Sequence, residues 1–108
     1  MNQDVLLACS TFPDLETARR IADQLVAENL VACVNLIPAI ESIYRWEGKI
    51  ERAAEVIAFF KTTTNRLAPL QEKLKALHPY DVPELICLRI DDGLPEYLRW
   101  VNESCLPT

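Results

Sequence analysis

The stretch VACVNLIPAIESIYRWEGKIERAAEVIAFFKTT, residues 31–63, decides the fold. Its first part, VACVNLI at 31–37, is a β-branched and apolar run too short for a helix. Pro38 cannot donate to a strand ladder, yet AIESIYRW resumes an extended pattern before Glu47-Gly48 turns the chain. KIERAAEVIAFFKTT then supplies a return strand, so the whole segment predicts one hairpin. A mean strand runs about 5–6 residues, and these arms are more than twice that, so they must project beyond the sheet they belong to. Such an overhang leaves unpaired edges, which invite aggregation unless another chain covers them.

The flanks supply the rest of the sheet. DVLLACSTF, residues 4–12, is continuously apolar and short, which reads as a buried strand. Pro13-Asp14 stops it and offers an N-cap. Leu15, Ala18, Ile21, Ala22, Leu25 and Val26 then recur at helical spacing until Asn29, a C-terminal cap. Beyond the hairpin, TTNRLAPLQEKLKALH places Leu67, Leu70, Leu74 and Leu77 on one helix face, with Thr64 or Asn65 as cap and Pro69 tolerable only near the first turn. PELICLRI, residues 83–90, reads as the last strand, and Pro95 opens a final helix marked by Leu94, Tyr97, Leu98 and Val101.

The order βαββαβ plus a C-terminal helix predicts a single α+β domain over residues 1–108. It is the ferredoxin-like split βαβ arrangement, a four-stranded antiparallel sheet with a long projecting hairpin. Following the strand directions, the end of strand one, the hairpin tip and the loop between helix two and strand four meet at one sheet edge. Cys9 and His78 are thereby expected as neighbours at that edge.

Composition limits the partners. Half the residues are hydrophobic, a quarter charged, and the net charge is -5 without clustered Lys or Arg, which argues against nucleic acid and anionic membrane. No apolar run approaches the ~20 residues of a membrane helix, and the N-terminus lacks a signal-peptide pattern, so a cytoplasmic protein is expected. Of four cysteines, Cys9, Cys33 and Cys87 lie in apolar strand-like runs and none forms a CxxC pair, so all are expected reduced.

The phrases ACSTFPD, LVACVNLIPAIESIYRWEGKIE, FFKTT and HPYDVPELICL resemble, in order and spacing, the CutA family of divalent-cation tolerance proteins over nearly the whole chain. The resemblance implies a very stable, cytoplasmic ferredoxin-like homotrimer tied to tolerance of copper and other divalent cations; it does not imply an enzyme, and none is expected. It also implies that no cofactor is required, although copper or another divalent ion is bound weakly. The family's copper-binding members use a Cys at the end of the first strand and two adjacent His before Pro-Tyr. Cys9 matches the first and His78 the second His, while Leu77 stands where the other would be, continuing the apolar face of helix two.

The loop after helix two also has a reading of its own. His78, the only histidine, stands at a helix end, where an imidazolium gains from the helix dipole. Pro79 and Pro83 fix a turn that can hold His78, Tyr80, Asp81 and Glu84 in one geometry, making Tyr80, Asp81 and Glu84 additional candidates to line a metal site. Tyr44 and Trp46 near the hairpin tip are either cross-strand packing or anchors in a neighbouring subunit; the lack of a core at the tip favours the trimer interface. Two other functions fit less well. A PII-like trimeric signalling module would bind a small anionic ligand between subunits, but with only Gly48 and Gly93 there is no glycine-rich phosphate loop. A hydrolase or lyase built on His78 with Asp81 or Glu84 lacks a recognisable nucleophile motif.

Overall fold

The structure is a computed structural model that describes residues 3–107. Its elements are β1 (Val5–Phe12), α1 (Leu15–Ala27), β2 (Cys33–Trp46), β3 (Lys49–Thr63), α2 (Leu67–Leu77), β4 (Ile86–Arg89) and α3 (Pro95–Ser104). The strands form one antiparallel sheet in the order β2-β3-β1-β4, the ferredoxin-like topology expected. Among the described residues no helix is long and apolar enough to cross a membrane.

Local chemistry explains the boundaries. The Asp14 carboxylate accepts from the Thr17 N–H at 2.8 Å and so caps α1. At the other end Asn29 takes a left-handed φ of 58°, while its N–H bonds Val26 O and that of Leu30 bonds Leu25 O, closing the helix in a Schellman motif. The hairpin turns on two residues, Glu47 and Gly48, both at positive φ, the mirror-image turn whose twist matches that of paired strands.

Pro38 does not end β2. Ile37 pairs with Ile57 but Ile40 pairs with Glu55, so Pro38 and Ala39 together oppose one residue of β3, and the β-bulge absorbs the missing donor on an edge strand. Three expectations need correction. Strand four is not 83–90 but Ile86–Arg89, because Pro83 has no N–H to donate and residues 83–85 stay outside the ladder. The second strand begins at Cys33, not at residue 31. Neither Thr64 nor Asn65 caps α2: residues Thr64–Arg66 form a 3-10 turn, the Thr64 hydroxyl bonds Gln3, and Arg66 precedes the helix without a side-chain cap.

Alternation divides the sheet into two faces. Ala8, Phe12, Val56, Ala58 and Phe60 pack with Ala18, Ile21 and Leu25 of α1 and Leu70 and Leu74 of α2 in the main core, and Leu77 packs against that cluster, as its place on the apolar stripe predicts. Leu7, Cys9, Thr11, Ile57 and Phe59 belong to the opposite face. A smaller cluster joins α3 to the sheet through Val5, Ala32, Val101 and Cys105.

Candidate functional site

His78 follows the last turn of α2, where the backbone leaves the helix for an extended conformation. Its ring is 7% exposed, stacked on Phe12 at a centroid distance of 4.7 Å and tilted against Tyr80 at the same distance. Nε2 lies 2.8 Å from Thr11 O, and Nδ1 lies 3.1 Å from the Tyr80 backbone nitrogen. A carbonyl only accepts and an amide N–H only donates, so the ring is the neutral tautomer with its proton on Nε2. Burial pushes its pKa down, against the opposing pull of Thr11 O and the Glu55 carboxylate. The imidazolium expected at this helix end is therefore replaced by a neutral ring that ties α2 to the end of β1.

A stability signature follows. In the unfolded chain the imidazole takes a proton near pH ~6.5, while in the native protein it does so only at lower pH. The unfolded state then binds more protons between those two values, so stability falls as pH drops through that window. His78→Gln is expected to flatten that part of the curve, read from urea midpoints between pH 7.5 and 5; an unchanged slope would contradict the buried neutral ring.

Cys9 sits on β1 between Phe59 of β3 and Ile86 of β4. Its thiol donates to Glu84 Oε2 at 3.6 Å, and burial first, then the Glu84 charge, raise its pKa. Cys9 is the fifth of the eight residues of β1, whereas His78 meets Thr11 O near the strand's end; Cys9 also belongs to the face opposite Phe12, the ring on which His78 stacks, so the two expected neighbours stand on opposite faces of the sheet. With both its nitrogens engaged, His78 offers no lone pair beside the thiol. All four cysteines are free thiols.

The remaining expected residues meet at a cleft of about 660 Å³ between the hairpin arm and the loop after α2. Tyr44, Trp46, Tyr80, Asp81 and Glu84 all line it. The Tyr80 hydroxyl donates to Glu55 Oε2 at 2.6 Å, and burial together with that carboxylate pushes the phenol well above its ordinary range. Glu55 is the member that sequence reasoning missed. The available signal was its place two residues before Ile57 on β3, which puts a carboxylate in line with an otherwise apolar row.

The donor set decides how much metal chemistry one subunit supports. Cys9 and Glu84 are in contact, His78 is spent on the backbone, and no group of three His, Cys, Asp or Glu side chains able to hold a metal exists among the described residues. A closed tetrahedral or octahedral site does not fit a single chain in this arrangement.

Comparison with known proteins places this geometry. Residues 6–104 match the family model of the CutA1 divalent ion tolerance protein. The chain belongs to that family. It is 49% identical over 94 residues to the divalent-cation tolerance protein CutA of Thermus thermophilus, covering 87% of this chain and 91% of that one. Its identity to the chloroplastic protein CutA of Arabidopsis thaliana is 45%, over 87% of this chain but only 52% of the longer plant protein. Among solved structures, the one described as the periplasmic divalent cation tolerance protein CutA of Archaeoglobus fulgidus superposes with a TM-score of 0.91 at 39% identity, covering 94% and 99% of the two chains. These matches favour a cation-tolerance protein over a PII-like signalling module.

Proposed function

We propose that the protein is a non-catalytic, cytoplasmic divalent-cation tolerance protein that works as a homotrimer and takes soft or borderline cations weakly through Cys9 and Glu84. The observation that carries this reading is the 3.6 Å thiol-to-carboxylate contact on the sheet face that α1 and α2 leave uncovered. A thiolate suits copper and zinc, with copper ahead of zinc in the usual affinity order, and the carboxylate supplies the second donor. Two donors hold a cation only loosely, so completion by side chains of a neighbouring copy or by water accounts for a tolerance role better than storage does. Ile37, Ile86 and Leu88 are 47%, 58% and 64% exposed on the single chain, which supports assembly through this face. Tyr44 and Trp46 on the hairpin arm remain the candidate anchors of that assembly.

The thiol must lose its proton to bind, and its pKa is raised. Calorimetric titration of the reduced protein with Cu(I) and Zn(II) is thus expected to show affinity rising up to about tenfold per pH unit between pH 6 and 8, with one proton released per cation. Cys9→Ser is expected to abolish the binding and Glu84→Gln to weaken it, while His78→Gln leaves it intact. Undiminished binding by Cys9→Ser would end this reading.

A further inference from the structure

The hairpin contains one piece of backbone that its local chemistry does not explain. Among the described residues, Asn29, Ala39 and Glu47 take positive φ without being glycine. Asn29 closes α1 and Glu47 makes the tip turn, but Ala39 stands at φ 61° in the middle of β2, where an L side chain is strained and glycine would not be. Pro38 and Ala39 are both exposed, so burial does not hold them there. Such strain persists only where the surrounding structure over-determines it.

The strand register supplies that constraint. Ile37 is tied to Ile57 in the sheet and Trp46 to Lys49 at the tip turn, and between these fixed pairs β2 carries one residue more than β3. The excess falls opposite Val56, which is also the partner of Phe12, the last residue of β1. The bulge therefore stands on the line where β1 stops and the arm continues on two strands alone. A bulge bends its strand and adds right-handed twist. From Ile40 to Trp46 the arm reaches roughly 20 Å at ~3.3 Å per residue, so a turn of ~20°, the size of one inter-strand twist, carries Trp46 roughly 7 Å.

We infer, on the homotrimer reading, that the Pro38–Ala39 bulge is the joint that aims the hairpin arm at a neighbouring copy of this chain, fixing the direction in which Tyr44 and Trp46 leave the subunit. Ile43, Tyr44, Trp46 and Ile50 are all exposed on a ribbon that has no core of its own, so the arm gains from contact only where its root points it at a partner. The strained alanine is the cost of that direction. Pro38 and Ala39 act as positioning residues, through the arm and not by contact of their own.

Deletion of Pro38 tests this. It leaves Ala39 alone opposite Val56, so the pairs Ile37–Ile57 and Ile40–Glu55 are kept and each arm side chain keeps its face; only the bend is removed. If the bulge had no task, losing a donorless proline and a strained φ would leave the assembly intact and raise its thermal midpoint. As an aiming joint, its removal is expected to bring the mass read by light scattering at micromolar protein down to that of the single 12.3 kDa chain. Ala39→Gly, which keeps the bulge and suits its φ, is expected to assemble as the unaltered protein does. Ala39→Val, whose β-branched side chain resists a positive φ, is expected to dissociate on dilution at a roughly tenfold higher concentration. An assembled deletion variant overturns the proposal and leaves the homotrimer reading in place, whereas a single-chain mass for the unaltered protein ends both. If circular dichroism shows that the deletion variant does not fold, the alanine variants decide: equal dissociation points for Ala39→Gly and Ala39→Val overturn the proposal.

Discussion

In the proposed homotrimer, Phe59→Asp is expected to reduce an assembly of three times the 12.3 kDa chain mass to single chains, and to lower its thermal midpoint by tens of degrees. Phe59 lies mid-strand on β3, paired with Cys9 on one side and Asn35 on the other, at the centre of the sheet face that α1 and α2 do not cover. Around it on that face stand Leu7, Ile57, Ile37, Ile86 and Leu88, an apolar surface that a lone subunit has reason to bury. A carboxylate introduced there must be desolvated without a partner when copies meet, at an effective cost of several kcal/mol in each subunit. The hairpin arms beyond the sheet are marginal alone, so loss of assembly and loss of stability should occur together. Light scattering with a thermal melt measures both, and Phe59→Leu is the control that keeps the apolar contact. A trimer mass retained by Phe59→Asp would place the interface elsewhere.

The second large effect is on the junction between β1 and the loop after α2. Phe12→Ala is expected to cost about 3–5 kcal/mol, a large part of the ~5–15 kcal/mol that holds a domain of this size. Phe12 is 1% exposed in the main core, and its ring is the surface on which His78 stacks at an interplanar angle of 16°. The substitution opens a cavity and removes one wall around the imidazole, so the cause of that group's lowered pKa weakens as well. With a single histidine in the chain, its proton resonance can be titrated without assignment, and it should shift towards the ordinary range. A loss under about 1 kcal/mol in denaturant midpoints, with an unmoved imidazole titration, would show that the stack carries little.

How legible this was depends on whether each feature is local. The βαββαβ order, the Asp14 cap, the Asn29 exit from α1, the Glu47-Gly48 turn, the long hairpin and the packing of Leu77 against the core were all readable in the amino-acid sequence. Each rests on a periodicity or a backbone preference expressed within a few residues. The shortened β4 was within reach too, since Pro83 cannot join a ladder.

The state of the site is another matter. Cys9 and His78 were expected as neighbours at one sheet edge, but His78 stacks on Phe12 in the core while Cys9 lies on the opposite face, because topology assigns an edge and not a side-chain direction. Tertiary packing alone decided that His78 Nε2 bonds Thr11 O, that Cys9 faces Glu84, and that Tyr80 reaches Glu55. Those partners lie 67, 75 and 25 positions apart along the chain for His78 with Thr11, Cys9 with Glu84 and Tyr80 with Glu55. The amino-acid sequence determined the sheet and its projecting arm because local preference and alternation act residue by residue. Protonation and pairing at the site were left to the folded chain, because hydrogen bonds and desolvation depend on which distant groups arrive within about 3 Å, and on which side of a strand they stand.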